Sequence, residues 1–254
     1  MLNALKFVAL VTMGLVSGFG MGLGVMYSVA KSHEAPSLEE GGNWAVSTIT
    51  TTLPVADQKA IKKSRLSAVR VMSLSEDQET FSAASGTYFT SAGRYYVLTV
   101  NHGIVGPCPL TKIKFENGYV KCLQYIILNP GIDYAIIEIE KLAGRTPIKV
   151  PQDLPTTFRP YHIMTPTYYT GFPNSAGPFT LSGNIIGYLG TDFVYLQSYG
   201  WAGSSGAGVF TPNGDLIGYV LAVDVGYTDY GVDVLENIIF VVPVTNIDWS
   251  VVPR

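Results

Sequence analysis

Gly203-Ser204-Ser205-Gly206-Ala207-Gly208 places a serine inside a run of closely spaced glycines, ahead of a short apolar stretch and the turn Thr211-Pro212-Asn213-Gly214. Glycines at that density let the backbone bend until consecutive N–H groups face one concavity. A serine in such a bend can attack a carbonyl carbon while those N–H groups, here from Gly203 and Ser205, hold the developing oxyanion. The same composition is also that of an ordinary turn, so the reading depends on partners. A serine hydroxyl is a weak nucleophile without a base, and the chain has three histidines, His33, His102 and His162. His33 falls just after a long apolar run, and His162 follows a proline-rich stretch and opens a strand. His102 ends the β-patterned run Tyr95-Tyr96-Val97-Leu98-Thr99-Val100 and precedes Gly103, which gives it rigid support. Asp133 stands between the turn Asn129-Pro130-Gly131 and the run Tyr134-Ala135-Ile136-Ile137-Glu138-Ile139. From there it would accept the His102 Nδ1–H and stabilise the imidazolium. Alone, Asp133 reads as a solvated turn residue and His102 as structural; with Ser205 they make a nucleophile, a base and an orienting acid.

Elements able to position such a set are short strands. β-patterned runs occur at 69–74, 80–90, 95–100, 112–115, 119–127, 134–140, 193–197, 208–210, 216–223 and 238–242, with turn signals such as Asn117-Gly118, Pro173-Asn174 and Asn213-Gly214 between them. No convincing helix-period segment interrupts the series, so the pattern predicts an all-β sandwich or barrel. Pro147, Pro151, Pro155 and Pro160 mark a connector over 147–160 that divides the strands into sets at 66–146 and 161–254. Two small antiparallel barrels joined by that connector are the expected arrangement. Residues 32–65 carry Ser, Thr, Glu and Gly with little periodicity and read as a tether, with a short helix around 56–66. The basic cluster Lys59, Lys62, Lys63, Arg65 and Arg70 reads as a solvated helix face.

Bulk properties narrow the field. Hydrophobic residues make up 47% and charged residues 14%, which excludes a disordered chain, and 27 glycines, 15 prolines and 16 tyrosines fit a turn-rich β protein. A net charge of −3 leaves no global footprint for nucleic acid, so no nucleic-acid partner is expected. The two cysteines, Cys108 and Cys122, exclude a disulfide-dense scaffold and offer no metal-site spacing. If Asn117-Gly118 is a two-residue hairpin turn, Cys122 falls opposite Ile113 and away from Cys108, which argues against a bridge.

From Phe7 to Ala30 the chain runs 24 residues without a charge, between Lys6 and Lys31. At about 1.5 Å per residue a helix of that length crosses the ~30 Å hydrocarbon core. Residues 1–31 therefore read as a single-pass membrane anchor, with a signal peptide cut after Ser28-Val29-Ala30 as the rival reading. Gly14, Gly18 and Gly22, with Gly20 and Gly24, have the spacing that lets two membrane helices associate, although glycine is common in such helices anyway. The lysine bias places the C-terminal part on the non-cytoplasmic side.

Three segments together resemble the trypsin-like serine protease superfamily, especially its HtrA-type and viral branches. Gly86-Thr87-Tyr88-Phe89 and Val97-Leu98-Thr99-Val100-Asn101-His102 resemble the segments around its catalytic histidine. Phe115-Glu116-Asn117-Gly118 and Asp133-Tyr134-Ala135-Ile136 resemble the following hairpin and the aspartate segment, and Gly203-Ser204-Ser205-Gly206 resembles the nucleophile loop. Asp215-Leu216-Ile217-Gly218 and Phe240-Val241-Val242-Pro243 resemble the closing strands, so the likeness covers about 69–247 in the order His, Asp, Ser. The resemblance implies a chymotrypsin-like double barrel of two six-stranded antiparallel barrels and a serine endopeptidase acting on protein or peptide substrates without a metal or organic cofactor. An anchor ahead of such a domain also resembles the organisation of plus-strand RNA virus polyproteins, and self-processing within the tether is an expectation for this chain. By the same resemblance Tyr199 falls at the base of the substrate pocket and Leu221, Ala222 and Val223 on its wall, which implies preference for an apolar or small side chain. Ala207 and Gly208 depart from the family's glycine and proline, and Ser204 replaces the aspartate that pairs with a newly cut amino terminus. A catalytically silent barrel serving as a membrane-anchored binding module is the alternative that the altered loop favours. A β-sandwich adhesion domain would require all three matches to be coincidence.

Overall fold

The computed structural model describes residues 54–116, 118–150, 161–228 and 231–253. The anchor expected over 1–31, His33, most of the tether and positions 151–160 of the connector lie outside the described residues. Among the described residues no helix is long and apolar enough to cross a membrane.

The first barrel is made of β1 (Ala68–Leu74), β2 (Phe81–Ser91), β3 (Arg94–Val100), β4 (Thr111–Phe115), β5 (Gly118–Asn129) and β6 (Tyr134–Ile139). These run β1-β4-β5-β6-β3-β2, and the β1–β2 pairing closes the ring. A two-residue β7 (Ile148–Lys149) lies parallel to β2 at its outer edge, where the connector begins. The second barrel is β8 (Pro166–Gly171), β9 (Phe179–Leu189), β10 (Phe193–Gln197), β11 (Gly208–Phe210), β12 (Leu216–Thr228) and β13 (Gly231–Pro243), closed in the order β10-β13-β12-β11-β8-β9. The expected architecture of two closed six-stranded antiparallel barrels is what the chain forms.

Period-two alternation explains the interiors. Val69, Val71, Val97, Ile113 and Ile137 fill the first barrel, and Val194, Leu196, Val209, Val220 and Ile239 the second. A third cluster joins the barrels, with Leu98, Tyr134 and Ile136 meeting Phe210, Tyr219 and Val242. β6 serves two of these clusters, which is why all six of its residues are buried.

β8 and β9 were not legible as apolar runs. β9 fully buries only Ile185 and mixes exposed Phe179, Ile186 and Leu189 with Thr, Ser, Gly and Asn, so its apolar residues follow no period-two pattern. His162 does not open a strand: its carbonyl accepts the Thr165 N–H at 3.0 Å in a turn, and β8 begins at Pro166.

Helix α1 (Val55–Ser67) occupies the end of the stretch read as a tether and is docked rather than solvated. Ser64 Oγ donates to Thr170 Oγ1 at 2.8 Å, Arg65 to Thr180 Oγ1 at 2.7 Å and Lys63 Nζ to the Gly214 carbonyl at 2.5 Å. Burial against the second barrel pushes the Lys63 ammonium and the Arg65 guanidinium below their ordinary pKa values.

The cysteines also depart from expectation. Phe115 pairs with Gly118 and Lys112 with Lys121, a register two residues away from the one that Asn117-Gly118 implied. Glu116 enters the turn at φ 42°, and Cys122 is brought beside the start of β4, where the 3-10 turn Cys108–Leu110 folds Cys108 back. Their Cα atoms are 5.3 Å apart and the bridge forms. It closes a loop with a sequence separation of 14, so Cys108→Ser with Cys122→Ser should lower unfolding free energy by about 3 kcal/mol in a urea titration.

Candidate active site

β3 and β6 run antiparallel and their last register pair is Val100 with Tyr134. The residues just past that pair, Asn101-His102 and Asp133, therefore leave the sheet side by side. Asp133 adopts a left-handed φ of 56°, a conformation aspartate tolerates better than most residues. Its carbonyl accepts the Asn101 N–H at 3.2 Å, Oδ1 accepts the His102 backbone N–H at 2.7 Å and Oδ2 meets His102 Nδ1 at 2.5 Å. The carboxylate thus fixes both the backbone and the ring of His102. With Nδ1 facing an acceptor, the ring proton sits there and Nε2 is the free basic nitrogen. From the second barrel, Tyr219 donates its hydroxyl to the Ile132 carbonyl at 2.7 Å and pins the loop before Asp133. Burial, reinforced by the Asp133 charge, pushes the Tyr219 phenol above its ordinary range and keeps it a donor.

The serine loop is held from the other side. Gly203 and Gly206 take φ values of 93° and 90°. A Cβ on Gly203 would lie 2.7 Å from the Phe172 carbonyl, and one on Gly206 would fall on the Ser85 carbonyl. The Gly206 N–H bonds to the Val220 carbonyl at 2.7 Å and the Val220 N–H to the Ala207 carbonyl at 2.8 Å, locking the loop to β12. Gly206→Ala combines left-handed strain with a backbone overlap. It should cost about 3 kcal/mol or more, read as a lowered thermal midpoint.

Ser85, fully buried in β2, is the tie between the barrels. Its N–H donates to the Ser205 carbonyl at 2.8 Å, its Oγ donates to the Gly203 carbonyl at 2.6 Å and accepts the Phe172 N–H at 2.9 Å. Thr99 Oγ1 in turn donates to the Ser85 carbonyl at 2.7 Å. Both ends of Gly203-Ser204-Ser205 are thereby clamped, and the Asn174 N–H to the Ala202 carbonyl at 2.6 Å sets the peptide that carries the Gly203 N–H. Among the described residues, neither the Gly203 N–H nor the Ser205 N–H donates to a protein acceptor. They are two adjacent donors without an internal partner, the arrangement a developing oxyanion needs.

Ser205 and His102 reach this boundary from opposite barrels. Ser205 hangs on Ser85, while Gly103 is so close to the preceding residue, Ala84, that a Cβ on it would sit 2.9 Å from the Ala84 Cβ. No hydrogen bond joins Ser205 Oγ to His102 among the described residues; the His102 side chain is 53% exposed and stands open to an incoming group. The departures at Ala207 and Gly208 are absorbed by packing: Ala207 is buried in the second core, and a Cβ on Gly208 would sit 2.5 Å from Thr87 Oγ1.

Tyr199 is exposed and stacks on Trp201 with centroids 5.8 Å apart. Leu221 packs at the margin of the inter-barrel core, Ala222 is exposed at a register shift in β12, and Val223 pairs with Ile239. The open cavity of about 420 Å³ that Tyr199 borders is lined by β8–β10 residues such as Tyr168, Asn184 and Gln197, and neither Leu221 nor Ala222 contributes to it. Ser85, Thr99, Asn174 and Tyr219 were not singled out from sequence as supports of the site. Ser85, Thr99 and Tyr219 act through side-chain hydroxyls on backbone groups that residue types do not locate, and only Ser85 beside Gly86 carried a local hint. Among the described residues no three His, Cys, Asp or Glu side chains converge to hold a metal ion.

No family model and no curated protein matches the chain. Solved structures do. The serine endoprotease from Yersinia pestis superposes with a TM-score of 0.57 at 20% identity, covering 75% of this chain and 63% of that one. This is the trypsin-like serine protease fold. The Rv3671c protease from M. tuberculosis, in its active form, shares it with a TM-score of 0.57 at 16% identity, covering 73% of this chain and 79% of that one. The chain spans 63% of the length of the Yersinia pestis structure. Within the trypsin-like fold, His102, Asp133 and Ser205 all lie where the two barrels meet, around Ala84 and Ser85 of β2.

Proposed function

We propose that the chain is a serine endopeptidase, tethered to a membrane through its amino-terminal apolar segment, that hydrolyses peptide bonds through an acyl-enzyme. The observation that carries this reading is the double attachment of Asp133 to His102, at 2.7 Å through the backbone N–H and 2.5 Å through Nδ1. It leaves Nε2 as the ring nitrogen able to serve as the base for Ser205. Ser205 Oγ attacks the carbonyl carbon while Nε2 takes its proton, and the Asp133 carboxylate stabilises the imidazolium. The N–H groups of Gly203 and Ser205 hold the oxyanion. The imidazolium then protonates the departing amine, the acyl-enzyme forms, and water activated by the same nitrogen releases the acid. Tyr199, which borders the open cavity, is the residue that meets the side chain before the cleaved bond. Substrates are proteins near the membrane, including the chain's own tether.

The test is labelling of the full chain in detergent with a fluorophosphonate probe, which phosphonylates only an activated serine. The parent is expected to label and Ser205→Ala not to. A folded parent that stays unlabelled would replace this reading with that of an anchored binding module.

A further inference from the structure

β1, β4 and β5 turn Val71, Ile113 and Val120 toward the first barrel's interior cluster, so the alternate residues face outward. Two cross-strand rows result: Arg70, Lys114 and Tyr119, then Met72, Lys112 and Lys121. Four of these six positions are cationic and none is acidic. Lys112 and Lys121 stand directly opposite each other, a placement that destabilises a sheet. The carboxylates closest in sequence do not relieve it. Glu76, Asp77 and Glu79 sit in the β1–β2 turn beyond Leu74, where Asp77 is taken by Ser75 Oγ and the Glu79 N–H, and Glu116 faces Arg145 at 3.7 Å. Across from Cys122 the β5–β6 pairing ends at Ile139, so Glu140 falls beside Lys121 and offsets one of the four cations; the face still carries a net positive charge that an external counter-charge would match.

The same face is unusually apolar between its cations. Tyr119 is 56% exposed and Leu123, at the bulge in β5 just past Lys121, is 54% exposed. Alongside Lys112 a groove of about 240 Å³ is walled by Met72, Leu74, Phe81, Pro109 and Leu110, with Phe81 58% exposed. Cations interleaved with protruding aromatic and aliphatic side chains match a surface that offers anionic headgroups above hydrocarbon, whereas a nucleic acid would meet aliphatic tips it cannot use. We propose that the outer face of β1, β4 and β5 docks on an anionic lipid surface, with the lysines on headgroups and Leu123, Tyr119 and Phe81 at the acyl boundary. The inference is independent of whether Ser205 is acylated.

The described residues contain no free cysteine, so Leu123→Cys in the full chain offers a single thiol there for an environment-sensitive NBD fluorophore. The labelled chain is reconstituted with phosphatidylcholine vesicles and with vesicles containing about 30% phosphatidylserine, a composition that gives the anionic surface required. Expected is a blue shift, with quenching by headgroup-depth nitroxide lipid, only in the phosphatidylserine vesicles, and reversal by high salt. Each lysine near such a surface contributes roughly fivefold, so Lys112→Gln with Lys121→Gln should lower the docked-to-undocked ratio roughly thirtyfold. The same variant should unfold at an equal or higher temperature, because a like-charge pair is gone. An NBD spectrum that is identical in both vesicle types, unmoved by the lysine replacements, or shifted by an RNA oligonucleotide and not by vesicles overturns the proposal. A chain held on both vesicle types with NBD still in water shows that the amino-terminal segment alone does the anchoring, and overturns it equally.

Discussion

Ser205→Ala is expected to lower kcat for peptide hydrolysis by about a millionfold, and His102→Ala by a similar factor, without the two losses adding in the double variant. A millionfold is about 8 kcal/mol of transition-state stabilisation. It is that large because the hydroxyl is useless until Nε2 removes its proton, and Nε2 has nothing to receive once the hydroxyl is gone. Non-additivity is therefore the sharper result: independent contributions would multiply, whereas a nucleophile and its base fail together. What survives should come from the Gly203 and Ser205 N–H groups, which remain aimed because Ser85, Asn174 and Val220 hold the loop rather than the serine side chain. Steady-state kinetics on a fluorogenic peptide, with near-UV circular dichroism to confirm folding, measures both terms. A Ser205→Ala protein that hydrolyses within tenfold of the parent would remove Ser205 from the mechanism.

The residues proposed for the chemistry were readable in the sequence because each sits at the end of a strand or in a glycine-dense bend. His102 follows β3, Asp133 precedes β6, and the β3–β6 register brings their backbones together. β1, with one buried face, also announced itself by alternation, and β3, buried on both faces, by a continuous apolar run. What stayed hidden shares a physical cause. Contacts through main-chain groups, such as Ser85 to Gly203 and Ser205, leave little compositional trace. β8 and β9 break any alternation with Pro, Ser, Gly and Asn, and most of the apolar side chains of β9 stay exposed or half-buried. Neither reads as a strand until barrel closure supplies partners on both sides. The bridge between Cys108 and Cys122 depended on a two-residue change of hairpin register and a 3-10 turn, neither of which residue types alone dictate. α1 carries almost no apolar stripe, and its docking through Lys63, Ser64 and Arg65 is polar and thus invisible to periodicity.

Register also explains why these two barrels act together. β2 lies at the seam, with Phe89 in the shared apolar cluster and Ser85 bonded to the serine loop. Tyr219 crosses in the opposite direction to hold Ile132. In the proposed site the acid–base half belongs to the first barrel and the nucleophile half to the second, so the proposed chemistry requires a closed seam. Ser85 and Tyr219 are two of the polar side chains through which each half supports the other.

Asp133→Asn should lower kcat/KM by about ten-thousandfold while leaving the fold intact, and the geometry dictates why. Oδ1 already accepts the His102 backbone N–H at 2.7 Å, so an asparagine must place its carbonyl oxygen there. Its amide nitrogen then lies where Oδ2 meets Nδ1, and two donors cannot face each other. The imidazole answers by moving its proton to Nε2. That nitrogen, the one needed to accept the Ser205 proton, becomes a donor, and the base is lost although every atom remains near its place. The loss also includes the stabilisation of the imidazolium by a full negative charge. Nitrogen-15 NMR of the histidine ring distinguishes this cause from simple misfolding, since the parent should show the proton on Nδ1 and the variant on Nε2. Parent-like activity in Asp133→Asn, or an unchanged tautomer, would mean that Asp133 only braces the loop and that another group orients His102.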